Sequence, residues 1–201
     1  MSPSAAPDRT ADLALAERAA HGDRTAQREL FLAHRRAVHH VLFRLLGSNH
    51  EIEDVVQDAF VQIFRSIGSY RGESSLGRWC CTLATRAAYA AFDRRRRTPR
   101  GSDDVDELLH HGPSATEQLA TREVARRLYR TLERIDDKHR VAFALVVIDE
   151  RSLQEVAELT ESSVSAVKSR VFRARRELLR RAAKDPMLAT YLEHLEGEGE
   201  P

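Results

Sequence analysis

Residues 164–181, VSAVKSRVFRARRELLRR, set Lys168, Arg170, Arg173, Arg175, Arg176, Arg180 and Arg181 against a single acid, Glu177. Cations packed this densely match a row of phosphates, to which they donate charge-assisted hydrogen bonds, and arginine can also grip base edges with its fork of donors. At helical spacing Val164, Val167, Val171, Ala174 and Leu178 share one stripe, which leaves Ser165, Ser169, Arg173 and Arg176 facing outward. A merely solvated helix usually mixes its signs, and this one does not.

Two further sets of residues have chemistry in their spacing. In IEDVVQDAFVQIFRSI, 52–67, the broad apolar face leaves Asp54, Gln57 and Asp58 within one turn, with no cation until Arg65, which suits docking on a basic helix better than binding DNA. SYRGESSLGRW, 69–79, interleaves aromatics and cations and leads into a basic segment carrying Arg86, Tyr89, Arg94 and Arg95. A glycine-flanked loop beside such a segment can hold single-stranded DNA, with bases stacked or pocketed and arginines following the backbone. Trp79 and Phe92 are expected in the core; Tyr70 and the loop from Arg71 through Ser74 to Ser75 are the candidates for contact.

Chemistry of other kinds finds no footing. An enzyme acting on nucleic acid needs clustered carboxylates or histidines at metal spacing, and the nine histidines, including His39-His40 and His110-His111, form no such motif. Cys80 and Cys81 are adjacent, without CxxC spacing, and are expected as buried, reduced thiols. No catalytic residue, metal or cofactor is expected, and the chain is not expected to be an enzyme.

These residues must be held by helices. The chain has 201 residues, 42% hydrophobic and 31% charged, and its apolar spacing is three and four throughout, so the fold class is all-α. Helices are expected over about 11–21, 23–46 (closed by Gly47), 51–67 (closed by Gly68) and 76–95. A Pro-, Gly- and Asp-rich stretch, 98–116, follows, then helices over about 117–134 and from Asp136 as cap. Ser152 and Glu155 form a capping box that starts a short helix ending by about 160, and the basic helix opens near Val164. A short helix, a three- or four-residue turn and a basic helix make a helix-turn-helix pattern, with Ala157 and Val167 inward and the second helix suited to a major groove. In DPMLATYLEHLE, Asp185 can cap a last helix with Pro186 in its first position and Met187, Leu188, Tyr191, Leu192 and Leu195 on one side. That helix would either pack on the domain before it or shield the basic helix with its acids.

The net charge of +1 hides segregation: basic patches at 86–100 and 164–184, acid in SDDVDELL (102–109) and LEHLEGEGE (192–200). No apolar run reaches the length of a membrane span and the start lacks the build of a signal peptide, so no membrane insertion and a cytoplasmic location are expected.

With these segments in this order, residues 20–183 resemble the extracytoplasmic-function sigma factors of bacterial RNA polymerase. EDVVQDAFVQIF looks like the family's clamp-binding helix, YRGESSLGRWCCTLATRAAYAAFDRRRR like its melting and minus-ten segment, and VKSRVFRARREL like its region 4 reading helix. The resemblance implies two small helical domains joined by a flexible linker: region 2 over 1–97, a linker over 98–120, region 4 over 121–184 and a tail over 185–201. It implies that Asp54, Gln57 and Asp58 contact the clamp helices of core RNA polymerase, with region 4 on its flap. Tyr70, Arg71, Ser74, Arg86, Tyr89, Arg94 and Arg95 would meet the minus-ten element, and Ser165, Lys168, Ser169, Phe172, Arg173 and Arg176 the minus-thirty-five element. It further implies an anti-sigma partner and, in holoenzyme, association with the nucleoid. The sequence departs from the family at Asp136, where proline is common, and at Glu161 and Ser163, in place of turn glycine and proline; a left-handed non-glycine residue costs about 1 kcal/mol. The alternative is a stand-alone helix-turn-helix regulator, which would bind DNA strongly without polymerase.

Overall fold

The computed structural model describes residues 9–47, 51–97, 115–183 and 185–190, and among them there is no strand. The all-α expectation holds. They divide into two compact units, one within residues 1–42 and Glu51–Ala91, the other within Phe43–His50 and residues 92–201.

The first unit holds α1 (Arg9–Ala20), α2 (Arg24–Leu46) as far as Leu42, α3 (Ile52–Ser66), a tight turn at Ile67–Ser69, and α4 (Leu76–Arg97) as far as Ala91. Two features break the chain between α1 and α2. Gly22 takes φ +86°, a left-handed value cheap only for glycine, and Asp23 Oδ1 accepts from the amides of Thr25 (2.8 Å) and Ala26 (3.2 Å), satisfying the first turn of α2. The core is built from the apolar stripes: Leu30, Val38, Val41 and Leu42 from α2; Val55, Ala59, Phe60 and Ile63 from α3; Leu76, Cys80, Ala84, Ala87 and Ala88 from α4. Phe31 meets Phe60 edge-on at 4.7 Å. Both cysteines are buried, and burial pushes the Cys80 thiol up to about 12, which keeps it protonated and unreactive.

The second unit holds α5 (Ala115–Leu132), α6 (Asp137–Phe143), α7 (Leu153–Leu159) and α8 (Val164–Ala182). Asp136 caps α6 as expected, accepting from the amides of Lys138 (3.0 Å) and His139 (3.4 Å). After Phe143 the helix widens into a π turn, Ala144–Ile148, closed by Asp149 N–H donating to Ala144 O at 2.9 Å, a feature the spacing of three and four does not announce. Leu128, Tyr129, Leu132, Phe143, Ala174 and Leu178 form its core. Arg140, 2% exposed, lies in that interior with its guanidinium 4.3 Å from the Phe92 ring centroid; burial lowers its pKa to about 10.

The described part of the tail packs on this unit. Residues 186–190 are helical, Asp185 caps the turn and bridges Arg127 at 2.9 Å, and Leu188 is 1% exposed within the core cluster. Met187, expected beside it on the apolar side, is exposed instead. Tyr191, Leu192, Leu195 and the acidic stretches 102–109 and 192–200 lie outside the described residues. No described helix is long and apolar enough to cross a membrane.

Candidate nucleic-acid and polymerase interface

Helix α8 is seated by the turn that precedes it. Ser152 Oγ accepts from Glu155 N–H (3.2 Å) while Glu155 Oε2 accepts from Ser152 N–H (3.0 Å), the reciprocal box that starts α7. Val156, Ala157 and Leu159 are buried beneath it. The helix ends at Thr160, and Glu161 takes φ +49°. Ser162 N–H donates to Ala157 O at 2.8 Å and Glu161 N–H to Glu158 O at 3.3 Å, so the left-handed ending forms without the usual glycine. Ser163 then caps α8, its Oγ accepting from Ala166 N–H at 3.2 Å. Val167, Val171, Ala174, Leu178 and Ala182 anchor α8; Val164, expected on that stripe, is half-buried.

Ser165, Lys168, Ser169, Phe172, Arg173 and Arg176 are all exposed on α8. Phe172 is 67% exposed, a large apolar ring standing among cations. The one acid of the row is spent elsewhere: Glu177 accepts from Arg180 (2.6 Å) and Arg181 (2.7 Å), and these bonds, Arg180's foremost, lower its pKa to about 2. Among the described residues no acid pairs with Lys168, Arg173 or Arg176, so the outward face keeps its charge.

On the first unit, α3 turns its apolar side into the core and leaves Asp54 and Gln57 exposed and Asp58 half-buried, one turn of mostly anionic surface. Between Ser69 and α4 the loop differs from expectation at Tyr70. Its ring is 8% exposed, edge-on to Trp79 at 5.7 Å, and its hydroxyl donates to Ser74 O at 2.6 Å. Tyr70 is therefore a strut inside the loop and not a stacking surface, because its apolar ring finds the Trp79 ring and its hydroxyl is satisfied locally. Arg71 is exposed and Ser74 half-buried, while Gly72 takes φ +71°. Along α4, Arg86 and Arg94 are exposed and Tyr89 and Arg95 half-buried; Arg95 Nη1 lies 3.3 Å from Glu133 Oε1. Phe92 is buried as expected, and Trp79 is half-buried. The sequence reading missed Asp12, whose carboxylate reaches Leu76 N–H at the start of α4. Its placement in the first turn of α1 gives no local hint of a partner 64 residues away. Among the described residues no group of three His, Cys, Asp or Glu side chains could hold a metal ion.

Residues 30–98 match Sigma-70 region 2 and residues 125–178 match Sigma-70, region 4. The ECF RNA polymerase sigma-E factors of Haemophilus influenzae and of Escherichia coli K12 are each 30% identical to the chain over 82% of its length, covering 91% and 90% of those relatives. The chain belongs to the ECF sigma factor family. An RNA polymerase sigma-H factor of Pseudomonas aeruginosa is 27% identical over 82% of this chain and 90% of its own. As a sigma factor, the chain directs promoter recognition and transcription initiation by core RNA polymerase. Among solved structures, CnrH in complex with the cytosolic domain of CnrY has a TM-score of 0.58 at 24% identity, covering 87% of this chain and 99% of that one. The sigma factor RpoE in complex with the anti-sigma factor NepR, from Bartonella quintana, has a TM-score of 0.56 at 19% identity, covering 79% and 97%. Both share the sigma factor's fold.

Proposed function

We propose that this sigma factor divides its work among three surfaces. Asp54, Gln57 and Asp58 on α3 dock on basic clamp helices of core polymerase. The loop around Arg71 and Ser74, with Arg86, Tyr89, Arg94 and Arg95 of α4, holds the minus-ten element and the opened strand. Ser165, Lys168, Ser169, Phe172, Arg173 and Arg176 of α8 read the minus-thirty-five element from the major groove. The corresponding division of the chain is region 2 over 1–97, a linker over 98–120, region 4 over 121–184 and a tail from 185. Phosphate contacts supply salt-sensitive affinity and base contacts the selectivity.

The observation that carries this reading is the outward face of α8, where exposed cations surround an exposed aromatic ring on a helix fixed by caps at its turn. Among the described residues no acid pairs with Lys168, Arg173 or Arg176, and Phe172 is left 67% exposed. Control by an anti-sigma factor is part of the proposal, supported by the RpoE–NepR complex, whose sigma factor shares this fold. The protein would then work in the cytoplasm and join the nucleoid as part of holoenzyme.

Charge reversal tests the docking surface. Asp54→Arg sets like charges together against a basic partner, an arrangement that costs several kcal/mol, so affinity for core polymerase falls by about a hundredfold or more. Asp54 is exposed in the first turn of α3, so the reversal costs the fold no more than about 1 kcal/mol, and unchanged assembly with core polymerase refutes the docking assignment.

A further inference from the structure

The loop assigned to the opened strand is held from outside itself, by α1. Leu76 N–H, the first amide of α4, donates to Asp12 Oδ2 at 2.8 Å. A helix start leaves several amides without partners, and the local cap, Ser75, answers a different one: its Oγ accepts from Arg78 N–H at 3.3 Å. Asp12 therefore supplies in trans what the loop's own residues do not reach. The other end of the loop lies against α1 as well: the helix packs on the Ile67–Ser69 turn, with Ala20 beside Gly68, and the Tyr70 phenol that follows is raised first by burial and then by the charge of Asp12. Next to it, Leu13 closes over the bend: its Cδ atoms lie 3.3 Å from the position a Cβ would take on Gly72, whose φ of +71° already favours glycine.

Helix α1 thus meets the loop at its bend and exit through Leu13 and Asp12, and the turn before its entry through Ala20. The side chains this helix buries are Ala16 and Ala19, and Leu13 is still 42% exposed. It also precedes the residues that match region 2, which begin at 30. A loop fixed at both ends spends less free energy on ordering when a nucleotide arrives, which is how preorganisation adds affinity.

We propose that Asp12 is a positioning residue for promoter opening: α1 clamps both ends of the 70–76 loop so that residues 71–74 are presented, already ordered, to the melted strand. The inference rests on the assignment of that loop to the opened DNA.

The test compares full-length Asp12→Ala and Asp12→Asn in reconstituted holoenzyme on a promoter selected from a random pool by the wild type. Losing a charged acceptor at a helix start lowers open-complex lifetime, followed by permanganate reactivity of the melted bases, by about tenfold. Asp12→Asn keeps an oxygen acceptor and recovers most of it. Affinity for core polymerase and protection of the upstream element stay at wild-type values. Hydrogen exchange on the free protein gives a second readout: Leu76 N–H exchanges faster in Asp12→Ala while the interior amides of α4 do not. Unchanged Leu76 exchange, unchanged open-complex lifetime, or equal losses in core binding, upstream protection and melting overturn the proposal. A parallel loop variant, Arg71→Glu with Ser74→Glu, separates the two layers. If it abolishes melting while Asp12→Ala does not, the positioning role alone fails; if it leaves melting intact, the assignment of the loop itself fails, and the inference with it.

Discussion

Phe172→Ala separates what α8 does for the fold from what it does for DNA. With 67% of the residue exposed, truncation removes little buried contact, and the expected change in stability is within about 0.5 kcal/mol. The exposed part of the ring, about two thirds of roughly 200 Å², is about 130 Å²; at about 25 cal/mol per Å², complete cover by DNA gains about 3 kcal/mol, and half cover about 1.5. Affinity of holoenzyme for a selected promoter therefore falls between about tenfold and a hundredfold. The ring carries no charge, so the slope of log affinity against log salt is unchanged, whereas removing a cation that neutralises a phosphate reduces that slope by about one. Fluorescence anisotropy of holoenzyme on labelled promoter across a salt titration measures both quantities. An equal loss on DNA with a scrambled upstream element, a changed slope for Phe172→Ala, or no loss at all refutes the reasoning.

Other perturbations have equally definite outcomes. Leu188→Ala empties a site 1% exposed in the second unit's core and costs about 3 kcal/mol, read as a lower thermal midpoint of the full chain. Glu161→Gly relieves a left-handed φ of +49° and stabilises by about 0.5–1 kcal/mol with promoter affinity unchanged; a lower midpoint counts against the turn geometry. Glu177 has its carboxyl pKa lowered from 4.5 to about 2 by Arg180 and Arg181. A depressed acid stabilises the fold above its unfolded pKa and loses that contribution as pH falls from about 4.5 toward 2. Glu177→Gln removes this component from an acid titration followed by circular dichroism, and identical titrations of the two proteins contradict it.

Much of this architecture is legible in residue types, because the deciding interactions are local. The Ser152–Glu155 box, the Asp136 cap and the spacing of Val167, Val171, Ala174 and Leu178 each act within a few residues, and each reappears in the structure. What was not legible depends on partners distant in sequence. Tyr70 looks like a surface aromatic until Trp79 and the Ser74 carbonyl are placed around it. Asp12 looks like an ordinary acid of a first turn until Leu76 is brought 2.8 Å away. Arg140, in the polar run DDKHR, reads as solvated, yet its guanidinium lies over Phe92 in the interior. Met187 and Leu188 are adjacent and both apolar, and only the second meets the core. The π turn at Ala144–Ile148 has no distinguishing composition, since ALVVI serves an α-helix equally well. The exposed basic face of α8 was readable because exposed charge needs no partner within the chain.

The central claim is that the chain confers promoter choice on an enzyme that lacks it. Purified core polymerase, with and without the protein, is given a genomic library, and start sites are mapped by run-off transcription. Discrete start sites preceded by two shared sequence elements, appearing only when the protein is added and shifting when α8 residues Lys168, Ser169 and Arg173 are replaced, are the predicted result. A start-site pattern indistinguishable from that of core polymerase alone contradicts the account.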